Sequence, residues 1–229
     1  MKTGGDSLMK SLLALFSSAI LFVPFMAQES AGQDAKEQMH TMHQDPKAYI
    51  AMLESPERTA EQKPDEVIAA LNLKAGETLA DIGAGSGFFS FRFSPKVGDS
   101  GRVFAVDINP DMILYMNHYI RDRKVKNVTT VLSAPEDPLL PDVSISRFFI
   151  CNTWHHVQSR PQYLALMKKM LKPGGQIVIL DYKKEKLPVG PPPEMKLARE
   201  EVIREMESGG FKLAKEHSFL PYQYFLVFE

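Results

Sequence analysis

Cysteine is all but missing from this chain: Cys151 is the single thiol in 229 residues. One thiol makes neither an internal disulfide nor a cysteine-based zinc site. Its neighbours Phe148, Phe149 and Ile150 mark it as a small residue of a buried strand. Charge of one sign is missing too. The formal net charge is -1, so no overall field draws the chain to nucleic acid or to anionic lipid. Internal repeats are absent, and so is a second block of sequence long enough for another full domain; the length suits one sizeable α/β domain with additions.

A long uninterrupted apolar run is also lacking. Lys2 and Lys10 precede an apolar stretch over residues 12–27 that Ser17, Ser18 and Pro24 interrupt. The stretch falls short of the ~20 apolar residues of a membrane-spanning helix. It has the basic start and apolar middle of a secretory signal. Residues 1–27 are therefore expected to be a signal peptide or N-terminal anchor, which places the protein in an exported or periplasmic location, or on a membrane through that anchor alone. No cysteine follows to make a lipoprotein. Residues 28–62 are expected to be a linker ending in a short helical arm over 45–61. His40 and His43 in the linker have no carboxylate or thiol beside them, so no metal site is expected.

From residue 63 onward strand and helix patterns alternate. Pro64 opens a helix with Asp65 and Glu66 in its first turn. Strands are expected over 78–83, 102–107, 127–132, 146–152 and 176–182. Helices are expected over 88–97, 110–123, 160–171 and 194–208. Two last strands, 211–217 and 222–228, have no helix between them. Such an order predicts a Rossmann-like, doubly wound α/β sheet of seven strands, mainly parallel, closed by a C-terminal antiparallel hairpin.

The turn after the first strand reads Asp81-Ile82-Gly83-Ala84-Gly85-Ser86-Gly87. Glycine supplies positive φ and lets a ligand reach the backbone, and the helix that follows offers free N–H groups to an anion. A dinucleotide fingerprint would need its third glycine one place later, where Phe88 stands. Asp107 ends the second strand, twenty residues beyond Gly87. A carboxylate there can accept both hydroxyls of a ribose; as a plain turn or cap residue it would be redundant, because Asn109 and Asp111 can do the capping.

Further tracts agree. Leu171-Lys172-Pro173-Gly174-Gly175 precedes the fifth strand, with Pro173 and Gly174 suited to the centre of a type II turn. Asn152-Thr153-Trp154-His155-His156 follows the fourth strand, at the carboxyl edge where open α/β sheets hold ligands. With the glycine turn and Asp107, these tracts resemble class I S-adenosylmethionine-dependent methyltransferases of the small-molecule, ubiquinone/menaquinone-biosynthesis type, over residues 63–229. The resemblance implies S-adenosyl-L-methionine as cofactor, held by Asp81, Gly83, Ala84, Gly85, Gly87, Asp107, Ile108 and Asn152. It implies a small-molecule acceptor, with His155 and His156 beside the transferred methyl as candidate bases, His155 the first choice. The chain departs from the family where an acid commonly follows the third strand. Ser133-Ala134-Pro135 stands there, with Glu136 and Asp137 displaced.

Trp154 either lines an acceptor pocket or covers the sheet edge. Tyr182 and Asp181 end the fifth strand and face the ligand edge. Lys183, Lys184 and Lys186 form a solvated loop or attract an acidic acceptor, and the proline-rich stretch 188–193 is a lid or a spacer. Two other functions remain open at this point: a binding protein that keeps the cofactor fold without catalysis, and a dinucleotide-dependent oxidoreductase, which the early third glycine disfavours.

Overall fold

The computed structural model describes residues 45–229. The expected signal or anchor over 1–27, and the linker as far as residue 44, lie outside the described residues. The arm consists of two short helices, α1 (Pro46–Leu53) and α2 (Pro56–Gln62), followed by α3 (Pro64–Leu71). Each begins with proline, whose missing N–H costs nothing in a first turn. Asp45 caps α1 by accepting from the N–H of Lys47 and Ala48, and Ser55 caps α2 by accepting from Arg58 N–H. Lys63, at φ 45°, turns the chain from α2 into α3.

The alternation then runs β1 (Thr78–Ile82), α4 (Ser90–Val97), β2 (Arg102–Asp107), α5 (Pro110–Arg123), β3 (Val128–Leu132), β4 (Ile145–Cys151), α6 (Arg160–Met170), β5 (Leu171–Tyr182), α7 (Arg199–Ser208), β6 (Leu213–His217) and β7 (Gln223–Phe228). The sheet has seven strands in the order β3-β2-β1-β4-β5-β7-β6. The first five are parallel, and β7 runs antiparallel to both β5 and β6. The chain thus winds outward from β1 in one direction and returns to wind outward from β4 in the other. A crevice between β1 and β4, at their carboxyl ends, follows from that reversal.

Period-two alternation divides the strands between two cores. Leu79, Val103, Phe149, Val178 and Phe225 face α3 and α4 through Val67, Leu71, Phe89 and Phe93. Ala80, Ile82, Ile150, Ile179 and Leu226 face α6 and α7 through Leu164, Met167, Val202 and Met206. Both faces are dry, as a mainly parallel sheet requires.

Two expected elements differ. The helix expected over 194–208 is a single 3-10 turn at Pro193–Met195, then extended chain, then α7 from Arg199. Lys196 accounts for the break: it is buried and its Nζ donates to Glu185 O at 2.9 Å, which holds the segment against the loop after β5. The strand expected from 176 begins at Leu171, which pairs with Ile145 before the register resumes at Gln176 opposite Arg147. Residues 172–175 stand opposite the single Ser146 in that ladder, with Gly174 at φ +74°, so the expected turn is folded into the strand as an irregularity.

Candidate active site

The glycine turn hangs from β2. The N–H groups of Gly83 and Ala84 both donate to Val106 O, at 2.9 and 3.0 Å. Gly83, Gly85 and Gly87 all have φ between +57° and +82°, the region that favours glycine. Gly83 has a second reason to be glycine: a Cβ there would lie 2.2 Å from Thr153 Oγ1, so the stretch after β4 packs directly on the turn. Beneath the turn Asp81 is buried and accepts from Ser90 Oγ at 2.6 Å. Burial, only partly offset by the Ser90 hydroxyl, pushes its carboxyl up to about 7.

Asp107 joins the turn to the second strand. Its Oδ2 accepts from Gly85 N–H at 2.7 Å and its Oδ1 from Asn109 N–H at 2.8 Å. Each carboxylate oxygen offers about two acceptor positions, and a backbone N–H takes one on each. Capping of α5 is left to Asn109, which accepts from Asp111 N–H. Ile108 beside it is exposed, as is Leu132, the register partner of Asp107 at the end of β3. Two exposed apolar side chains thus flank the acid. Sequence reasoning found Ile108 and missed Leu132. The displaced acids stay within their own loop: Asp137 accepts from Leu139 N–H at 2.7 Å, and Glu136 is exposed.

The arm covers this side. Leu53 Cδ1 stands 2.9 Å from where a Gly85 Cβ would be, and Ser86 Oγ donates to Glu54. Tyr49 has its hydroxyl pKa raised, first by burial and then by the charge of Asp107. No periodicity or motif marked these arm residues.

The other end of the crevice is built from side chains. Asn152, at φ 53°, donates its N–H to Leu180 O at 2.8 Å, and its Oδ1 accepts from Gln223 Nε2 at 2.6 Å. His155 Nδ1 lies 2.9 Å from both oxygens of Asp181, with the two side chains 3% and 1% exposed. His155 Nε2 is buried and has no hydrogen-bond partner among the described residues. A buried carboxylate on Nδ1 keeps a proton on that nitrogen, so in the neutral ring Nε2 carries the lone pair. His156 is exposed, its ring 4.1 Å from that of His155. Tyr224 is the register partner of Asp181 on β7, and its buried hydroxyl also lacks a partner among the described residues.

Trp154 belongs to the core. It is fully buried, edge-on to Tyr163, and its Nε1 donates to Glu205 Oε2 on α7 at 2.9 Å. Cys151 is buried and its thiol is pushed up to about 12, chiefly by that burial, so it is an inert core residue. Two of the three lysines after β5 have contacts in the fold: Lys183 Nζ donates to Pro221 O, and Lys184 stands 3.9 Å from Glu201, while Lys186 is exposed. The proline-rich loop leans on Tyr182, whose ring lies 2.8 Å from where a Gly190 Cβ would be. A cavity of about 330 Å³ opens beyond, lined among others by Lys183, Lys184, Arg199, His217, Gln223 and Tyr224.

Comparison with known proteins follows this geometry. The family described as "Methyltransferase domain" matches residues 73–217. The chain is 32% identical over 113 residues to the ubiquinone/menaquinone biosynthesis C-methyltransferase UbiE of Enterobacter sp. (strain 638), covering 49% of this chain and 45% of that protein. It is 30% identical over 124 residues to the protein of the same name from Coxiella burnetii (strain Dugway 5J108-111), covering 54% and 50%. The chain therefore spans about half the length of the curated relatives it matches. Among solved structures, a SAM dependent methyltransferase from Aquifex aeolicus superposes with a TM-score of 0.76 at 30% identity, covering 80% of this chain and 97% of that one.

Proposed function

This chain belongs to the family of class I S-adenosylmethionine-dependent methyltransferases, and on that premise we propose that it transfers a methyl group to a small-molecule acceptor whose nucleophilic atom carries a proton. The residues at the β1–β2 end fit the cofactor. Asp107 has the acceptor capacity for ribose hydroxyls, Ile108 and Leu132 offer apolar faces for adenine, and the glycines of the turn have no side chains to keep the amino-acid end from its backbone. Asp81, Gly83, Ala84, Gly85, Gly87 and Asn152 complete this assignment. When bound, S-adenosylmethionine supplies an electrophilic methyl on a sulfonium sulfur.

The observation that carries the reading of the acceptor is the His155–Asp181 pair, with Nε2 buried and unpartnered at the carboxyl edge of β4. Leaving a polar atom in that state costs about 1–3 kcal/mol. A ligand that donates a hydrogen bond to Nε2 offsets the cost. Such a ligand is an acceptor hydroxyl, whose proton His155 removes as methyl transfer proceeds. Asp181 fixes the tautomer and stabilises the imidazolium that results. Oxygen acceptors meet this condition directly; a carbon acceptor on a hydroxylated ring meets it through the neighbouring hydroxyl, and its ring C–H proton leaves after the C–C bond forms, restoring the ring and the hydroxyl. The relatives named as C-methyltransferases act at carbon, which favours the second. A cavity with the size of a small-molecule pocket, roughly 300–1,000 Å³, opens beside Tyr224 and Gln223; His155 and Asp181 are not among the residues that line it.

Calorimetric titration with S-adenosylmethionine, S-adenosylhomocysteine and NAD, followed by a panel of hydroxylated aromatic, amine and thiol acceptors, tests the reading. The sulfur cofactors are expected to bind, NAD is not, and methylated hydroxyaromatic products are expected. Binding of NAD alone would overturn the reading. Equal transfer to amines and thiols would remove the role given to His155. We further propose that residues 1–27 direct export or anchoring. Cell fractionation with N-terminal sequencing tests this, and an intact N-terminus in the cytosolic fraction counts against it.

A further inference from the structure

Arg58, on α2, lies outside the matched residues 73–217. Its guanidinium is held from three sides. Nε donates to Gln62 Oε1 at 2.8 Å, Nη1 donates to Leu53 O at 2.8 Å, and the flat face lies 4.2 Å over the Phe88 ring. Phe88 directly follows the glycine turn, Leu53 leans on Gly85, and Gln62 is buried. The cation is therefore anchored against the turn itself, half-buried, on groups that are themselves fixed.

Arginine presents five N–H donors in a rigid fork. The two hydrogen bonds made here both go to neutral oxygens. Among the described residues Arg58 forms no ion pair, whereas Arg147, Arg160 and Arg199 each face a glutamate. Its charge nevertheless reaches into the crevice, lowering the pKa of Asp81 at the end of β1, Cys151 at the end of β4 and Tyr182 at the end of β5, each against a larger effect of burial. A guanidinium held rigid beside a ligand crevice, with donors left over and no protein carboxylate to meet them, is arranged to receive an oxyanion.

S-adenosylmethionine has a single anionic group, the carboxylate of its amino-acid end. Resting on the reading of that molecule as the cofactor, we propose that Arg58 binds this carboxylate, so that the arm is part of the cofactor site and not a tether to it. The three contacts that hold Arg58 are made by the protein alone, so little side-chain freedom is lost when the ligand arrives.

The test is calorimetric binding of two ligands to the wild-type chain, Arg58→Ala and Arg58→Lys. S-adenosylhomocysteine has the carboxylate; 5′-methylthioadenosine keeps the adenosine and sulfur and lacks the amino-acid end. Arg58→Ala is expected to weaken S-adenosylhomocysteine about 10- to 100-fold, in line with loss of charge-assisted hydrogen bonds, and to leave methylthioadenosine unchanged. Arg58→Lys, which keeps the charge without the fork, is expected to fall between. Equal weakening of both ligands would mean that Arg58 only docks the arm, and would overturn the proposal, as would unchanged S-adenosylhomocysteine binding. A wild-type chain that binds neither ligand would overturn the reading of the cofactor, and the proposal with it.

Discussion

At the β1–β2 end of the crevice the contacts that join the turn to β2 start from backbone: Gly83 and Ala84 N–H to Val106 O, Gly85 and Asn109 N–H to Asp107. At the β4–β5 end the contacts that hold the segment after β4 are chiefly between side chains: His155 to Asp181, Gln223 to Asn152, Trp154 to Glu205. The first end is a shape imposed by glycine dihedrals, and it suits a cofactor that is always the same. The second end leaves buried polar atoms at His155 Nε2 and Tyr224 Oη without partners among the described residues. Those atoms are where an acceptor would be recognised. A fold can keep the first end and vary the second, because exchanging a side chain there leaves the glycine turn intact.

If the two ends are separate, substitutions should separate binding from turnover. His155→Asn places an amide nitrogen near the position of Nδ1, keeping a donor for Asp181 while removing Nε2. Turnover is expected to fall about 10²- to 10⁴-fold, the usual contribution of a general base, with S-adenosylhomocysteine affinity unchanged by calorimetry. A matching loss of affinity would show the two ends to be coupled. His156→Ala, by contrast, should leave turnover close to wild type.

Asp81 sharpens the comparison through stability. Its carboxyl sits at about 7 in the folded chain, against an ordinary value of 3.8. Folding therefore takes up a proton between those values, and stability falls as pH rises through that window. Asp81→Asn lacks this dependence. Its stability relative to wild type should grow from pH 4 to pH 8, by at most roughly 4 kcal/mol at about 1.4 kcal/mol per pH unit, in urea unfolding of the ligand-free protein. A constant difference across that range would refute the assignment.

Asp107→Ala should weaken S-adenosylhomocysteine about 10- to 100-fold, as expected for hydrogen bonds to a charged group. Turnover at saturating cofactor should change far less. The smallest effect is expected from Trp154→Phe, which removes the bond to Glu205 Oε2 while Arg160 keeps the other oxygen. About 1 kcal/mol of stability should be lost, with turnover unchanged. A large loss of turnover would return Trp154 to the acceptor pocket.

The strand and helix order was legible throughout, because each element is written in local periodicity and bounded by proline or glycine. The two places where it misled both depend on distant partners. Lys196 breaks the helix expected from 194 by reaching the carbonyl of Glu185, and Leu171 joins the sheet early because Ile145 is there to pair with it. In the site, Asp107 and the glycine turn stood out by spacing, and His155 by its place after β4. Its carboxylate partner, Asp181, comes only 26 residues later. Leu132, Tyr49, Arg58 and Tyr224 sit in stretches that read as ordinary strand or arm.

By itself, the sequence determined the cofactor end. Glycine permits the positive φ that Gly83, Gly85 and Gly87 adopt, and an acid at the end of the next parallel strand lies beside the turn. Only the tertiary structure decided the rest: that His155 meets a carboxylate, which tyrosine hydroxyl is left buried, and that Arg58 of the arm joins Arg92 over Phe88. Those pairings depend on strand register, and on where a helical arm lands, and neither is encoded within the few residues that make each element.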